Sequence, residues 1–133
     1  MAEGLILFTD RIECTPTETG SFIDRNATDY GIPSGQKGVI LEFENQDTSN
    51  RRKIACRQDG SSDNHTATSY VMQYAHIFAL CGLTNNIFEV YRETTNCKIY
   101  VHGYCDDGVT FNLDKINLNV TTTGAYTDVQ DNN

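Results

Sequence analysis

An all-β fold, an antiparallel β-sandwich of jelly-roll kind with about eight strands, is what this sequence predicts. Three observations carry that reading. Apolar residues recur at period two, while helical periodicity is nearly absent. The alternating runs are short and end at Gly, Asn or Asp turn signals at fairly regular intervals, as in sandwiches and jelly rolls. With two prolines, no tryptophan and no low-complexity linker, nothing divides the 133 residues, enough for one domain to bury roughly two thirds of its unfolded surface.

In chain order, "GLILFTDRIEC" and "GSFID" are the first two strand candidates. In "GVILEFEN", Val39, Leu41 and Phe43 fall on one side and Ile40, Glu42 and Glu44 on the other, the signature of a half-buried strand. "RRKIACRQDG" sets Ile54 and Cys56 against Lys53, Ala55 and Arg57 and ends at an Asp-Gly turn. The polar stretch "RQDGSSDNHTATS" predicts a surface loop. "YAHIFALCG", almost wholly apolar, predicts a central strand, and "LTNN" a polar turn into the strand "IFEVYRETT". "CKIYVHGYCDDG" places Cys97, Ile99, Val101 and Cys105 on one face and Lys98, Tyr100, His102 and Tyr104 on the other, and "VTFNLDKINLNVT" predicts a closing strand.

Charge and composition narrow the partners. Ten Lys and Arg against 18 Asp and Glu give a net charge of −8, which opposes binding to nucleic acid or to an anionic membrane. No apolar run approaches the roughly 20 residues of a membrane span, and the acidic opening "MAEGLILFTD" does not read as a signal peptide. Cys14, Cys56, Cys81, Cys97 and Cys105 form no C-x-x-C pair, which argues against a disulfide framework or zinc ribbon; three of them alternate with Ile and Val as small buried hydrophobes do.

Catalytic signatures are missing. His65, His76 and His102 lie in different segments without the H-x-x-x-H spacing that sets two metal ligands on one element. Asp59, Asp63, Asp106 and Asp107 flank turns without a D-x-D-x-D-G calcium loop, and neither a G-x-S-x-G elbow nor P-loop spacing occurs. No catalytic residue, metal or cofactor is therefore expected. Asn26, Asn64 and Asn119 open N-x-T sequences, which carry little weight without a secretion signal. Two groups suit ligand or partner contact: the basic run Arg51, Arg52 and Lys53, and a tyrosine set in which Tyr70 and Tyr74 join Tyr91, Tyr100 and Tyr104.

A long-range repeat completes the reading. Shifted by 104 residues, "DRIECTPTETGSFID" lies over "DKINLNVTTTGAYTD" without a gap, with identities at Asp10/Asp114, Ile12/Ile116, Thr17/Thr121, Thr19/Thr123, Gly20/Gly124 and Asp24/Asp128. Residues 1–110 are thus expected to form the sandwich. Residues 111–133 are expected to form a strand segment repeating 7–29, either the start of a second unit or a strand for a neighbouring subunit, with Ile116, Leu118, Val120 and Tyr126 as self-association residues.

The runs "TGSFIDRNATDYGIPSGQKGVILEFEN", "RKIACRQDGSSDNHT" and "NNIFEVYRETTNCKIYVHGY" resemble a β-sandwich domain found, often in tandem, in predicted phage virion and environmental surface proteins. The resemblance spans about residues 19–104 and the tail. It implies a non-enzymatic structural or assembly protein: a phage virion component (capsid decoration or fibre) or a filament subunit at a virion or extracellular assembly surface. Expected partners are other copies, as trimer or head-to-tail polymer, and other virion proteins. The alternative expectation is a carbohydrate-binding module or lectin-like receptor-binding domain with a glycan ligand.

Overall fold

The structure, a computed structural model, describes residues 4–63, 75–106, 108–114 and 124. Among these residues seven strands make two antiparallel sheets: β1 (Leu5–Glu13), β2 (Phe22–Asn26), β3 (Gly38–Asn45), β4 (Ile54–Gln58), β5 (His76–Gly82), β6 (Ile87–Arg92) and β7 (Cys97–Cys105). The larger sheet has the order β1-β7-β3-β5 and the smaller β2-β6-β4. Successive strands alternate between the sheets, which gives the strand order of a jelly roll. Residues 64–74, between β4 and β5, lie outside the described residues.

Period-two alternation builds the core as the sequence predicts. Val39, Leu41 and Phe43 of β3 are fully buried and face Ile54 and Cys56 of β4 and Phe88 and Val90 of β6, with Ile99 and Val101 of β7 beside them. A hairpin of two residues precedes β6: Asn85 and Asn86 both adopt positive φ, and Thr84 and Ile87 exchange backbone hydrogen bonds of 2.8 and 3.1 Å. That is the primed-turn geometry asparagine tolerates best after glycine.

Three local expectations are corrected. The nearly all-apolar "HIFALCG" predicts a central strand, yet among the described residues β5 is an edge of the larger sheet. Ile77, Ala79 and Cys81 pair with the core residues Phe43, Leu41 and Val39, which sends Phe78 and Leu80 to the outside. β7 does not alternate to its end. A bulge at His102 lets Leu41 pair with Val101 and Ile40 with Gly103, so Tyr104 joins Val39 on the core side and Cys105 lies with Gly38 on the other. Residues 109–114 of the expected closing strand form no strand. Instead the Phe111 side chain lies over the paired glycines Gly38 and Gly82, where an added Cβ would come within 2.4 Å of its ring at Gly38 and 2.9 Å of its Cβ at Gly82. Asp114 then accepts hydrogen bonds from Ser61 Oγ (2.9 Å) and Ser62 N (3.3 Å). This stretch packs on its own domain; residues 115–123 and 125–133 lie outside the described residues.

The turn that opens the repeat is held from within. The guanidinium of Arg92, buried at the end of β6, donates to the carbonyls of Thr17 (2.9 Å), Glu18 (3.2 Å), Thr95 (3.3 Å) and Cys97 (3.4 Å). Arg92 O in turn accepts from Gly20 N at 2.9 Å.

Candidate functional site

The outer face of the larger sheet carries the densest polar chemistry among the described residues. Glu42, in the middle of the central strand β3, points away from the core yet only 6% of its side chain is exposed. Its neighbours bury it. Arg11 of β1 reaches Glu42 Oε1 at 2.7 Å, His76 Nδ1 of β5 lies 2.5 Å from the same oxygen, and His102 Nε2, at the β7 bulge, contacts Oε2. Burial alone would push the Glu42 carboxyl up. The hydrogen bonds from His102 and His76 and the charge of Arg11 outweigh it and hold the group below its ordinary value.

Glu44, two residues along and on the same face, is paired with His76 across the strands. His76 Nε2 stands 3.8 Å from Glu44 Oε1, and Arg11 lies 3.7 Å from Oε2, which is buried without a hydrogen-bond partner among the described residues. Two rings frame the cluster. The Arg11 guanidinium stacks 3.8 Å from the Tyr100 centroid, and Phe78 meets His102 edge-on at 5.0 Å. Burial, then the charge of Glu44, raises the Tyr100 phenol above its usual range.

Beside this polar half the same face is apolar. Leu7 of β1, Gly103 of β7, Ile40 of β3 and Leu80 of β5 fall in one cross-strand row. Leu7 is 70% exposed, Phe78 61% and Leu80 56%, so the row ends on open apolar surface at both edges of the sheet.

The residues selected from sequence are distributed elsewhere. Arg52 is committed to its own loop, with Nε and a terminal nitrogen 2.7 and 2.6 Å from Asp47 Oδ2. The Lys53 amine lies 5.2 Å from the Tyr91 ring on the outer face of the smaller sheet, and Arg51 is exposed. Tyr91, Tyr100 and Tyr104 point to three different surroundings, while Tyr70, Tyr74, Ile116, Leu118, Val120, Tyr126, His65, Asp107, Asn64 and Asn119 lie outside the described residues. Asn26 caps the short 3-10 turn Ala27–Tyr30 through its side-chain oxygen. All five cysteines are free and buried; burial pushes the Cys14 thiol up to about 12, and a hydrogen bond with Cys56 together with burial raises Cys81.

Asp47 gives a pH prediction. Hydrogen bonds from Ser49 N and Arg52, with a further one from Asn50 N, lower its carboxyl from the ordinary 3.8 to about 2. A depressed folded-state value means stabilisation present above the unfolded value and lost as pH falls through the folded one. Asp47→Asn, which keeps an oxygen for the two backbone donors, should therefore lower the urea midpoint at neutral pH. The gap from the parent chain should close between about pH 4 and pH 2. A gap that stays constant over that window would show that charge is not what Asp47 contributes.

Sequence reading missed the Glu42 cluster because Arg11, His76 and His102 lie 31 to 60 residues from Glu42 in the chain. The outward alternation of Glu42 and Glu44 was visible; the strand order that sets two histidines beside them was not. Fold and site together define an all-β jelly-roll sandwich with a buried, histidine-flanked carboxylate on its larger outer face. Comparison with protein-family models, curated proteins and solved structures found no match.

Proposed function

We propose that this chain is a non-enzymatic assembly protein, a virion-surface or filament subunit that associates with further copies of itself through the edges of its larger sheet. One observation carries the reading: among the described residues β5 is an edge strand, without a Lys, Arg, Asp, Glu or Pro, and it presents Phe78 and Leu80 outward. Folded proteins blunt strand edges with charge, proline or cover, so an unprotected apolar edge is an invitation to pairing.

The other edge suits it. The larger sheet is antiparallel throughout, so β1 and β5 run in opposite directions. A β1 docked on the β5 of another copy would extend the same antiparallel ladder and bring Leu5 and Leu7 beside Phe78 and Leu80. Such a contact is heterologous and produces a ring or an open polymer. The resemblance to tandem virion domains agrees with this role, and the C-terminal segment, with Ile116, Leu118, Val120 and Tyr126 on alternate positions or nearby, is a second strand donor of the same kind.

Mass in solution tests the reading. The full chain should be oligomeric at micromolar concentration, and Phe78→Lys or Leu80→Lys should weaken association roughly tenfold or more each, the scale of an interface anchor. A chain ended after Asp114 separates the two donors: Phe111 and Asp114 stay in place, so any lost association belongs to residues 115–133. A parent chain that is monomeric at high concentration would overturn the proposal.

A further inference from the structure

We infer that Glu42, Glu44 and His76 form a binding site for a divalent transition-metal ion of the zinc class, with His102 as the group that positions Glu42. Their ligand atoms, one from each residue, lie within 4.8 Å of one another. Imidazole nitrogen and carboxylate oxygen together are the donor set such ions take, and three protein ligands leave a further position for water.

Placement on the sheet supports the site. Glu44 and His76 are directly opposed across β3 and β5, and Glu42 is one step along the same face. All three side chains thus stand on hydrogen-bonded strands rather than on a loop, which fixes their spacing before an ion arrives. Bonds of about 2.0–2.2 Å in a tetrahedron hold ligand atoms roughly 3.3–3.6 Å apart. An ion takes one nitrogen of the His76 ring, and the three ligand atoms, one from each residue, stand up to 4.8 Å apart, so they must draw in by about 1 Å around it. His76 is the member freest to adjust, 46% of its side chain being open.

His102 completes the arrangement. By hydrogen-bonding Glu42 Oε2 it leaves Oε1 directed toward His76 and Arg11, the outer-shell role that keeps a ligating carboxylate oriented. Arg11 is the competitor. It neutralises one charge of the Glu42–Glu44 pair, while Lys98 and Glu13 on the same face pair with each other at 3.5 Å. An incoming dication supplies the charge the carboxylates lack and releases Arg11, which sits on an irregular stretch of edge strand and is 39% exposed.

The test is calorimetric titration of chelator-treated full-length chain with Zn2+, repeated with Co2+ followed by absorption. One ion per chain should bind with micromolar or tighter Kd, and Co2+ should show d–d bands without thiolate charge-transfer absorption. His76→Ala and Glu44→Gln, both on the outer face, should each weaken binding by well over tenfold. His102→Ala should weaken it roughly tenfold, in the range of an outer-shell partner, without changing the Co2+ band shape. Arg11→Ala should tighten binding, a result that a merely structural ion-pair network would not give. Zinc affinity no better than millimolar, affinity unchanged in His76→Ala, or thiolate bands with Co2+ would overturn the site. The test is independent of self-association, because the Phe78→Lys chain retains all three ligands.

Discussion

Gly103→Ala should destabilise the chain by about 3 kcal/mol or more, at or beyond the usual upper end for overpacking, and should strip β1 from the larger sheet. An alanine Cβ at this position would stand 1.9 Å from the carbonyl oxygen of Ile6 and 2.9 Å from its carbon. Both are backbone atoms, so no rotamer change relieves the clash; β1 itself must move. The pairs Leu5–Cys105, Ile6–Tyr104 and Leu7–Gly103 would go with it, as would the Phe8–Tyr104 ring contact at 6.1 Å. Hydrogen exchange resolves the cause from a global loss: amides of β1 and the facing β7 residues should lose protection before those of β3 and β6. Gly108→Ala is the control. Its added Cβ would meet nothing nearer than 3.8 Å, and it should shift the urea midpoint little. A Gly103→Ala chain with parent-like stability and β1 protection would show that the close approach is not a constraint.

Gly103 also shows where sequence reading stopped. A lone glycine inside an alternating run is itself a sign of a bulge or a close backbone approach, yet strict alternation carried through "IYVHGYC" put Tyr104 on the outer face, whereas the bulge turns it to the core side; Cys105 changes face with it but is buried, as expected. The sheet-forming runs were legible because period two is local: each strand announces its core face whichever neighbour it finds. Val39, Leu41 and Phe43 needed no partner to be read. Strand order is not local, and so β5 was taken as central. Its apolar outer residues made sense only as burial, whereas they stand exposed at an edge. The Glu42 cluster depends on the same non-local facts. His76 and His102 look unrelated in sequence because the metal-ligand spacings one searches for are those of a single element, whereas a sheet brings ligands together through register.

Arg92→Met should cost about 3 kcal/mol, close to Gly103→Ala but by a different route. Methionine fills a comparable volume and adds no charge, so the loss isolates the guanidinium's hydrogen bonds. Those bonds reach four carbonyls in two loops: Thr17 and Glu18 before β2, Thr95 and Cys97 before and at the start of β7. Removing the donor leaves buried or part-buried acceptors without it, and an orphaned buried acceptor costs about 1–3 kcal/mol. Arg92→Lys is the informative companion. An ammonium keeps the charge but cannot spread donors over four acceptors as a planar guanidinium does, so lysine should recover less than half the loss. The effect should be local as well as global, because the Thr-Glu-Thr-Gly turn is otherwise tied to β6 by Gly20 N on Arg92 O. Amide exchange in residues 15–20 should quicken even where the rest of the sheet stays protected. Equal stability for arginine, lysine and methionine at this position would mean that the turn holds itself.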